Sequence, residues 1–112
     1  MEPKVKITDF GCAIQLDKND QYGSEVRSSM SGTLPFMAPE VIDSEILDYK
    51  LDVWSIGVLL YTLISGEVPF SGPDKKNICE AILRQELQFQ SEVWNKVSEE
   101  CKDLIMGMLV KD

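Results

Sequence analysis

The sequence contains no histidine and only three cysteines, Cys12, Cys79 and Cys101, which lie far apart in the chain. Structural zinc sites use closely spaced cysteines and histidines, and small disulfide-rich folds need more cysteines than this. We therefore expect neither a zinc site nor a disulfide framework. Free cysteines without a pairing pattern favour a reducing compartment, and a cytoplasmic location is predicted.

Positive charge is also scarce, because 11 basic residues stand against 19 acidic ones and give a formal net charge of −8. Nucleic acids and anionic membrane surfaces attract basic proteins, so we expect neither as a partner. Long hydrophobic runs are missing too. The most apolar stretch, residues 53–64, is shorter than the roughly 20 residues that a membrane-spanning helix needs.

What remains is the pattern of a mainly α-helical chain. Residues 5–8 alternate and predict a short strand, with residues 12–14 pairing back to complete an N-terminal β-hairpin. The polar, aperiodic residues 15–37 predict a long loop. A short helix is predicted at residues 38–43. Two later helices are predicted, one that starts at Pro73-Asp74 and one that is capped by Ser98.

The strongest helix prediction covers residues 52–65. Asp52 is a favourable N-cap, and Gly66 is favourable just beyond the C-terminal end. Apolar side chains occupy nearly every position between them. A helix that is apolar on all sides belongs in the middle of a core, and we predict that location here.

Three motifs follow one another in the sequence: Asp9-Phe10-Gly11, Ala38-Pro39-Glu40, and Asp52-Val53-Trp54-Ser55-Ile56-Gly57-Val58. Their order and spacing resemble the activation segment and following helix of a protein kinase. The resemblance runs from about residue 5 to residue 112. It implies a partial kinase domain, with an activation segment at 9–40 and a helical remainder at 41–112. The fold would be an incomplete kinase large lobe, without the small N-terminal lobe or the catalytic loop.

In this family the aspartate that matches Asp9 holds Mg²⁺ against the phosphates of ATP. Asp9 and the preceding Thr8 are therefore the candidate nucleotide-binding residues. The resemblance implies that Phe10 packs to set the active or inactive state, and that Gly11 supplies backbone freedom. The alternative for Asp9, judged from the residues alone, is an ordinary turn aspartate in the β-hairpin.

Residues 32–40 are similar to the Gly-Thr-x-x-[Tyr/Phe]-x-Ala-Pro-Glu pattern of serine/threonine kinases. The resemblance implies that Gly32 and Thr33 help to dock a protein substrate. Ser29 and Ser31 just before them are candidates for activating phosphorylation, which would add negative charge and order the loop. The alternative is that both serines belong to a flexible polar loop. Leu34 stands where a proline is commoner in the family.

Two further carboxylates are expected to be structural. The resemblance implies that Glu40 is held by an arginine that follows the last helix. It also implies that Asp52 reaches the backbone of the catalytic loop, although its role as an N-cap requires no such partner.

Residues 66–70, Trp94 and residues 98–105 are most similar to the calcium/calmodulin-regulated and calcium-dependent kinases. The resemblance implies an ATP- and Mg²⁺-dependent parent enzyme that phosphorylates protein serine or threonine. Its partners would be protein substrates, an upstream kinase or a calmodulin-type regulator.

The chain itself is predicted to be inactive, because it shows no glycine-rich loop, strand lysine or catalytic aspartate. The other class of function is a non-catalytic kinase-like interaction module. A His-Arg-Asp-x-x-x-x-Asn run encoded before Met1 would indicate an incomplete copy of an enzyme and not such a module.

Overall fold

The computed structural model describes residues 2–13, 15, 33–43 and 49–111. Over these ranges the chain is mainly helical, as predicted. The helices are α1 (Pro39–Asp43), α2 (Lys50–Ser65), α3 (Lys75–Arg84) and α4 (Glu99–Met108). Short 3₁₀ turns occur at Phe10–Cys12, Leu34–Phe36 and Glu92–Lys96.

The predicted N-terminal hairpin is not formed in the described residues. Val5 and Ile7 are 96% and 85% exposed, and residues 2–9 adopt no regular secondary structure. Cys12 ends a 3₁₀ turn instead of starting a second strand, and Ile14 lies outside the described residues. A strand persists only when its backbone groups pair with a neighbour, and the described ranges contain no strand that could provide one.

Helix α2 begins before the predicted residue. Its N-cap is Tyr49, whose carbonyl oxygen accepts a hydrogen bond from the backbone N–H of Asp52 at 3.1 Å. Asp52 is therefore not the N-cap, and lies exposed in the first turn, where its negative charge favours the helix dipole. The predicted end is confirmed, because Gly66 adopts φ 77° and donates its N–H to Thr62 O at 2.8 Å.

The prediction that α2 is buried on all sides is wrong for this structure. One face is buried through Trp54, Gly57, Val58 and Tyr61. The opposite face carries four apolar side chains that are 40% to 74% exposed: Val53, Ile56, Leu59 and Leu63. Among the described elements, α2 packs mainly against α4 and the turns Leu34–Phe36 and Glu92–Lys96, and these contacts leave the opposite face exposed.

The core lies between the buried face of α2 and helices α3 and α4. Its largest fully buried side chains are Val58, Phe70, Ile82, Trp94 and Ile105. The ring of Phe70 stacks on Trp54 with centroids 5.8 Å apart, so the loop after α2 folds back onto that helix. This core positions the segment that precedes α2.

Gly57 lies where α2 and α4 approach each other most closely. A Cβ atom added there would lie 2.8 Å from Met108 Cβ and 3.0 Å from Leu109 Cδ2. We expect Gly57→Ala to lower the free energy of unfolding by about 1–2 kcal/mol, because overpacking outweighs the gain in helix propensity.

Gly107→Ala is the matched control for this substitution. Gly107 is also helical, but a Cβ atom there meets no other atom within 4 Å. Its replacement should leave stability unchanged or raise it by up to about 1 kcal/mol. Urea unfolding of both variants tests the prediction, and equal stabilities would contradict the close approach of the two helices.

The exposed α2 face (Val53, Ile56, Leu59 and Leu63) predicts self-association of the 112-residue chain, since exposed apolar patches promote contact between molecules. Ile56→Gln with Leu63→Gln should shift the mass measured by light scattering towards the 12.6 kDa monomer. Val93→Gln changes an exposed apolar residue outside this face and should have no effect. A wild-type chain that is already monomeric at high concentration would contradict the prediction.

Candidate functional site

Residues 33–43, which we call the docking segment, comprise the end of the predicted activation segment (residues 9–40) and the rest of helix α1. Thr33 is exposed and extended, with φ −82° and ψ 123°. Its carbonyl oxygen accepts the backbone N–H of Phe36 at 3.0 Å, which closes the 3₁₀ turn Leu34–Phe36. Pro35 suits this turn because its φ is already fixed. Thr33 is therefore presented at the surface by an ordered turn.

A hydrogen bond from α2 fixes the docking segment from below. The Ser55 hydroxyl lies 2.9 Å from the carbonyl oxygen of Phe36, to which it donates. It also lies 3.2 Å from the carbonyl oxygen of Leu51 in its own helix. The partly buried hydrogen bond between Ser55 and Phe36 therefore attaches the turn Leu34–Phe36 to α2.

Apolar contacts provide a second attachment. Ala38 is only 1% exposed, and Pro39 at the start of α1 is also buried. Phe36, Val41 and Ile42 pack against the core around them. Both the turn Leu34–Phe36 and α1 contact α3. The docking segment thus rests on two helices, α2 and α3.

Glu40 lies in the first turn of α1 and is half-buried. A carboxylate at that end of a helix is favoured by the partial positive charge of the unpaired N–H groups. Glu40 therefore contributes to the local structure of the docking segment.

Asp9 occupies a different environment. It is exposed and adopts φ 60° and ψ 74°, the one non-glycine residue of positive φ in the described part of the chain. Aspartate enters this left-handed region more readily than most residues. The left-handed residue of the motif is thus Asp9 and not Gly11, where a Cβ would lie an ordinary 3.6 Å from Asp9 Oδ1.

The side chain of Phe10 is 69% exposed among the described residues, and its role in setting the active or inactive state stays a prediction. Thr8 is exposed as well. The side chains of Thr8 and Phe10 are thus exposed, unlike Ala38 and Pro39 of the docking segment. Gly32, Ser29 and Ser31 lie outside the described residues.

The described residues do not form a complete magnesium–nucleotide site by themselves. Residues 2–13, 15, 33–43 and 49–111 contain no group of three histidine, cysteine or acidic side chains placed to hold a metal ion. Mg²⁺ at nucleotide sites is bound by one or two carboxylates together with phosphate oxygens. Asp9 offers a single exposed carboxylate, which does not make a complete site.

Comparison with known sequences identifies the family. The family description "Protein kinase domain" matches residues 1–112, the whole of this sequence. The chain belongs to the protein kinase family. This confirms the resemblance carried by the three motifs and assigns the described helices to a kinase-like domain.

Several serine/threonine kinases resemble this kinase-family chain over nearly its full length. Serine/threonine-protein kinase PEPKR2 of Arabidopsis thaliana is 40% identical over 109 residues, covering 97% of this chain and 22% of that protein. Calcium-dependent protein kinase 2 of Zea mays is 39% identical over 108 residues, covering 96% and 20%. Serine/threonine-protein kinase 33 of Mus musculus is 34% identical over 112 residues, covering 100% and 22%.

These relatives confirm the serine/threonine type and the similarity to calcium-dependent kinases. The kinase-family chain spans about a fifth of the length of the relatives that it matches. In the described part of the chain, no helix combines the length and apolar character needed to cross a membrane.

Two residues that hold the kinase segment together were missed by the sequence analysis. Ser55 was part of a quoted motif but received no role, although a hydroxyl in the apolar N-terminal half of α2 is a usable signal. Lys111, whose ammonium group contacts α3, gave no signal because its partners lie far away in the sequence.

Tyr61 anchors α2 to the loop that follows α3. Its hydroxyl donates to Gln88 O at 2.7 Å. Burial raises the pKa of Tyr61 above its ordinary value of 10.0, the nearby Trp94 indole N–H lowers it, and Glu67 raises it. The net pKa is raised, so above about pH 10 the unfolded chain loses this proton before the folded chain does.

We therefore expect the free energy of unfolding to fall as pH rises above about 10. Tyr61→Phe should remove this component, at a cost of about 1 kcal/mol at neutral pH for the lost hydrogen bond. Urea unfolding across the alkaline range, with absorbance at 295 nm to follow tyrosinate, tests the prediction. Identical pH profiles for the two proteins would contradict it.

Proposed function

We propose that this chain is the activation segment and adjoining helices of a serine/threonine kinase domain. In its complete form, the domain transfers the γ-phosphate of ATP to a serine or threonine of a protein substrate. The observation that carries the proposal is the anchored docking segment, in which Ser55 holds Phe36 from below while Thr33 remains exposed above. A segment whose backbone is attached to α2 and whose outer residue, Thr33, is exposed to solvent is suited to bind an extended peptide.

Within that domain, Gly32 and Thr33 contact the substrate next to its phosphoacceptor. Asp9 contributes one carboxylate to the Mg²⁺ that neutralises the phosphates of ATP, and Thr8 lies beside it. The remaining ligands come from parts of the domain outside this sequence. Asp9 is supported as a ligand by its exposure, which leaves both carboxylate oxygens accessible.

Ser29 and Ser31 regulate the domain as phosphorylation sites for an upstream kinase. A phosphate there adds about −1.5 to −2 charge and three acceptor oxygens, at positions a few residues before the docking segment in the sequence. A calmodulin-type regulator is the second proposed partner of the complete protein. This is supported by the similarity to calcium-dependent kinases.

The 112 residues alone do not transfer phosphate. A kinase needs a lysine on the phosphates and an aspartate that accepts the substrate proton, from a His-Arg-Asp motif. The sequence contains no histidine and therefore no such motif. Without the lysine and the aspartate, the chain can bind a protein substrate but cannot catalyse phosphate transfer to it.

A chimera tests the proposal directly. In calcium-dependent protein kinase 2 of Zea mays, this chain replaces the stretch that it matches, which leaves the rest of the domain intact. We expect the chimera to phosphorylate a serine-containing peptide in an ATP-dependent reaction, whereas the isolated chain does not. A chimera that folds with the thermal stability of the parent kinase but has no activity would refute the proposed function.

A non-catalytic interaction module is the second candidate, favoured by the exposed α2 face. Contiguous exposed apolar residues mark protein contacts. This candidate predicts a folded but inactive chimera, together with an isolated chain whose association is abolished by Ile56→Gln and Leu63→Gln. An active chimera would favour the proposal that this chain is part of a catalytic kinase domain over the interaction module.

A further inference from the structure

Lys111 lies just beyond α4, and its ammonium group reaches back to α3. The Nζ atom donates to the carbonyl oxygen of Ala81 at 3.2 Å and to that of Gln85. Gln85 is the C-cap of α3, and Ala81 belongs to its last turn. Carbonyl groups in the last turn of a helix carry partial negative charge, and the final ones lack partners within the helix. Ala81 O also accepts the backbone N–H of Gln85 at 2.9 Å, so the Lys111 ammonium group is its second donor. Lys111 therefore caps α3 from a distant place in the sequence.

The same ammonium group lies 4.5 Å from the centroid of the Phe70 ring. Phe70 is fully buried and stacks on Trp54 of α2. A cation over an aromatic face is attracted by the negative charge of that face, and more strongly when water is excluded. Burial lowers the pKa of Lys111, while Glu86 acts to raise it. One partly buried cation thus links α3 to the aromatic contact on α2.

Helix α3 is also one of the two supports of the docking segment. Its residues Ala81 and Ile82 belong to the same buried cluster as Ala38. The turn Leu34–Phe36 and α1 both contact this helix. The support from α2 is fixed by the hydrogen bond from Ser55, whereas α3 is fixed at its C-terminal end by Lys111.

We propose that Lys111 is a positioning residue for the docking segment. By linking the end of α3 to Phe70, it holds the helix surface on which residues 34–43 rest, and thereby sets the position of Thr33. The consequence for substrate binding rests on the proposed function of the docking segment. The structural coupling of Lys111 to that segment through α3 does not depend on the proposed function.

Amide hydrogen exchange on the 112-residue chain tests this link without any activity. In Lys111→Met, which keeps most of the apolar stem, amides of residues 33–43 should exchange at least about threefold faster, together with those at the end of α3. Lys111→Arg should restore the wild-type rates, because it retains a cationic donor. Lys96→Met is the control, since Lys96 is an exposed lysine at the end of the turn Glu92–Lys96.

Faster exchange at the end of α3 with unchanged rates in residues 33–43 would overturn the proposal, because Lys111 would then be only a helix cap. Unchanged rates in both places would overturn it as well. Faster exchange in both, reversed by arginine and absent in the Lys96 control, supports it.

Kinetics of the chimera test the consequence. Lys111→Met should raise the KM for the peptide substrate about three- to tenfold, because misplacement of a docking surface weakens substrate positioning. The kcat and the KM for ATP should change by less than about twofold. An unchanged peptide KM, or a parallel loss of kcat and thermal stability, would overturn the role in substrate binding. If the wild-type chimera is inactive, the proposed function fails and the exchange measurement alone decides the role of Lys111.

Discussion

Asp9→Asn in the chimeric kinase is expected to lower kcat by at least about 100-fold. A metal ion held against the transferred phosphate contributes several kcal/mol to the stabilisation of the transition state, and each 1.36 kcal/mol corresponds to about tenfold in rate. An amide in place of the carboxylate keeps the size of the side chain but removes the negative charge that attracts Mg²⁺. Since Asp9 is exposed, the substitution should leave stability nearly unchanged.

Steady-state kinetics at saturating ATP and Mg²⁺ measure this effect. Asp103→Asn is the matched control, because Asp103 is an exposed aspartate on α4, away from the docking segment. It should retain the kcat of the unmodified chimera. If Asp9→Asn also retains kcat within about twofold, then Asp9 is an ordinary turn aspartate and the assignment of the metal ligand is wrong.

The features that the sequence predicted well are set by neighbouring residues. Asp74 Oδ1 accepts the backbone N–H of Asn77 at 2.8 Å, and Ser98 Oγ accepts that of Cys101 at 3.2 Å. Both caps, and the left-handed Gly66 after α2, depend on side chains or backbone angles within one helical turn. Such signals are readable without any knowledge of the tertiary structure.

The features that the sequence did not predict depend on distant partners. Val5 and Ile7 alternate like a strand, but alternation cannot show whether a second strand is present. The composition of α2 showed that it is apolar on all sides, but not which of those sides its neighbours cover. Lys111 finds its acceptors 26 and 30 residues away in the sequence. Each of these outcomes is decided by packing and not by local preference.

The candidate site divides in the same way. The docking segment was recognised from its motif, and its position follows from contacts of Ala38 and Phe36 that the motif does not describe. The exposed state of Phe10 could not be predicted, because a motif names a side chain without naming what covers it. Residues 16–32, which include Ser29 and Ser31, lie outside the described residues, and their regulatory role stays a prediction.

Trp94→Ala should cause the largest loss of stability of any single substitution considered for this chain, about 3–5 kcal/mol. Trp94 is 1% exposed, and its ring centroid lies 4.7 Å from those of both Tyr61 and Phe89. Its removal would leave a cavity between α2 and the loop after α3. Small domains have only about 5–15 kcal/mol of stability in total, so this variant should lie near its unfolding transition in water.

Trp94→Phe separates packing from hydrogen bonding at the same site. The Nε1 atom of Trp94 is buried and makes no hydrogen bond of normal geometry among the described residues, although its N–H lies close enough to the Tyr61 hydroxyl to lower the pKa of that group. A buried donor without a well-formed hydrogen bond costs up to about 1–3 kcal/mol, and phenylalanine removes that cost while it keeps an aromatic ring. The loss for Trp94→Phe should therefore be under about 2 kcal/mol, well below that for alanine.

Urea unfolding followed by circular dichroism at 222 nm compares the two variants, because each substitution removes one of the two tryptophan fluorophores and changes the fluorescence signal itself. Val93→Ala, at the exposed neighbouring position, should change stability by no more than about 0.5 kcal/mol. Equal losses for Trp94→Phe and Trp94→Ala would mean that the indole N–H contributes a bond of its own. In that case polar as well as apolar contacts would stabilise the aromatic cluster. Separating α2 from the loop after α3 would then cost correspondingly more free energy.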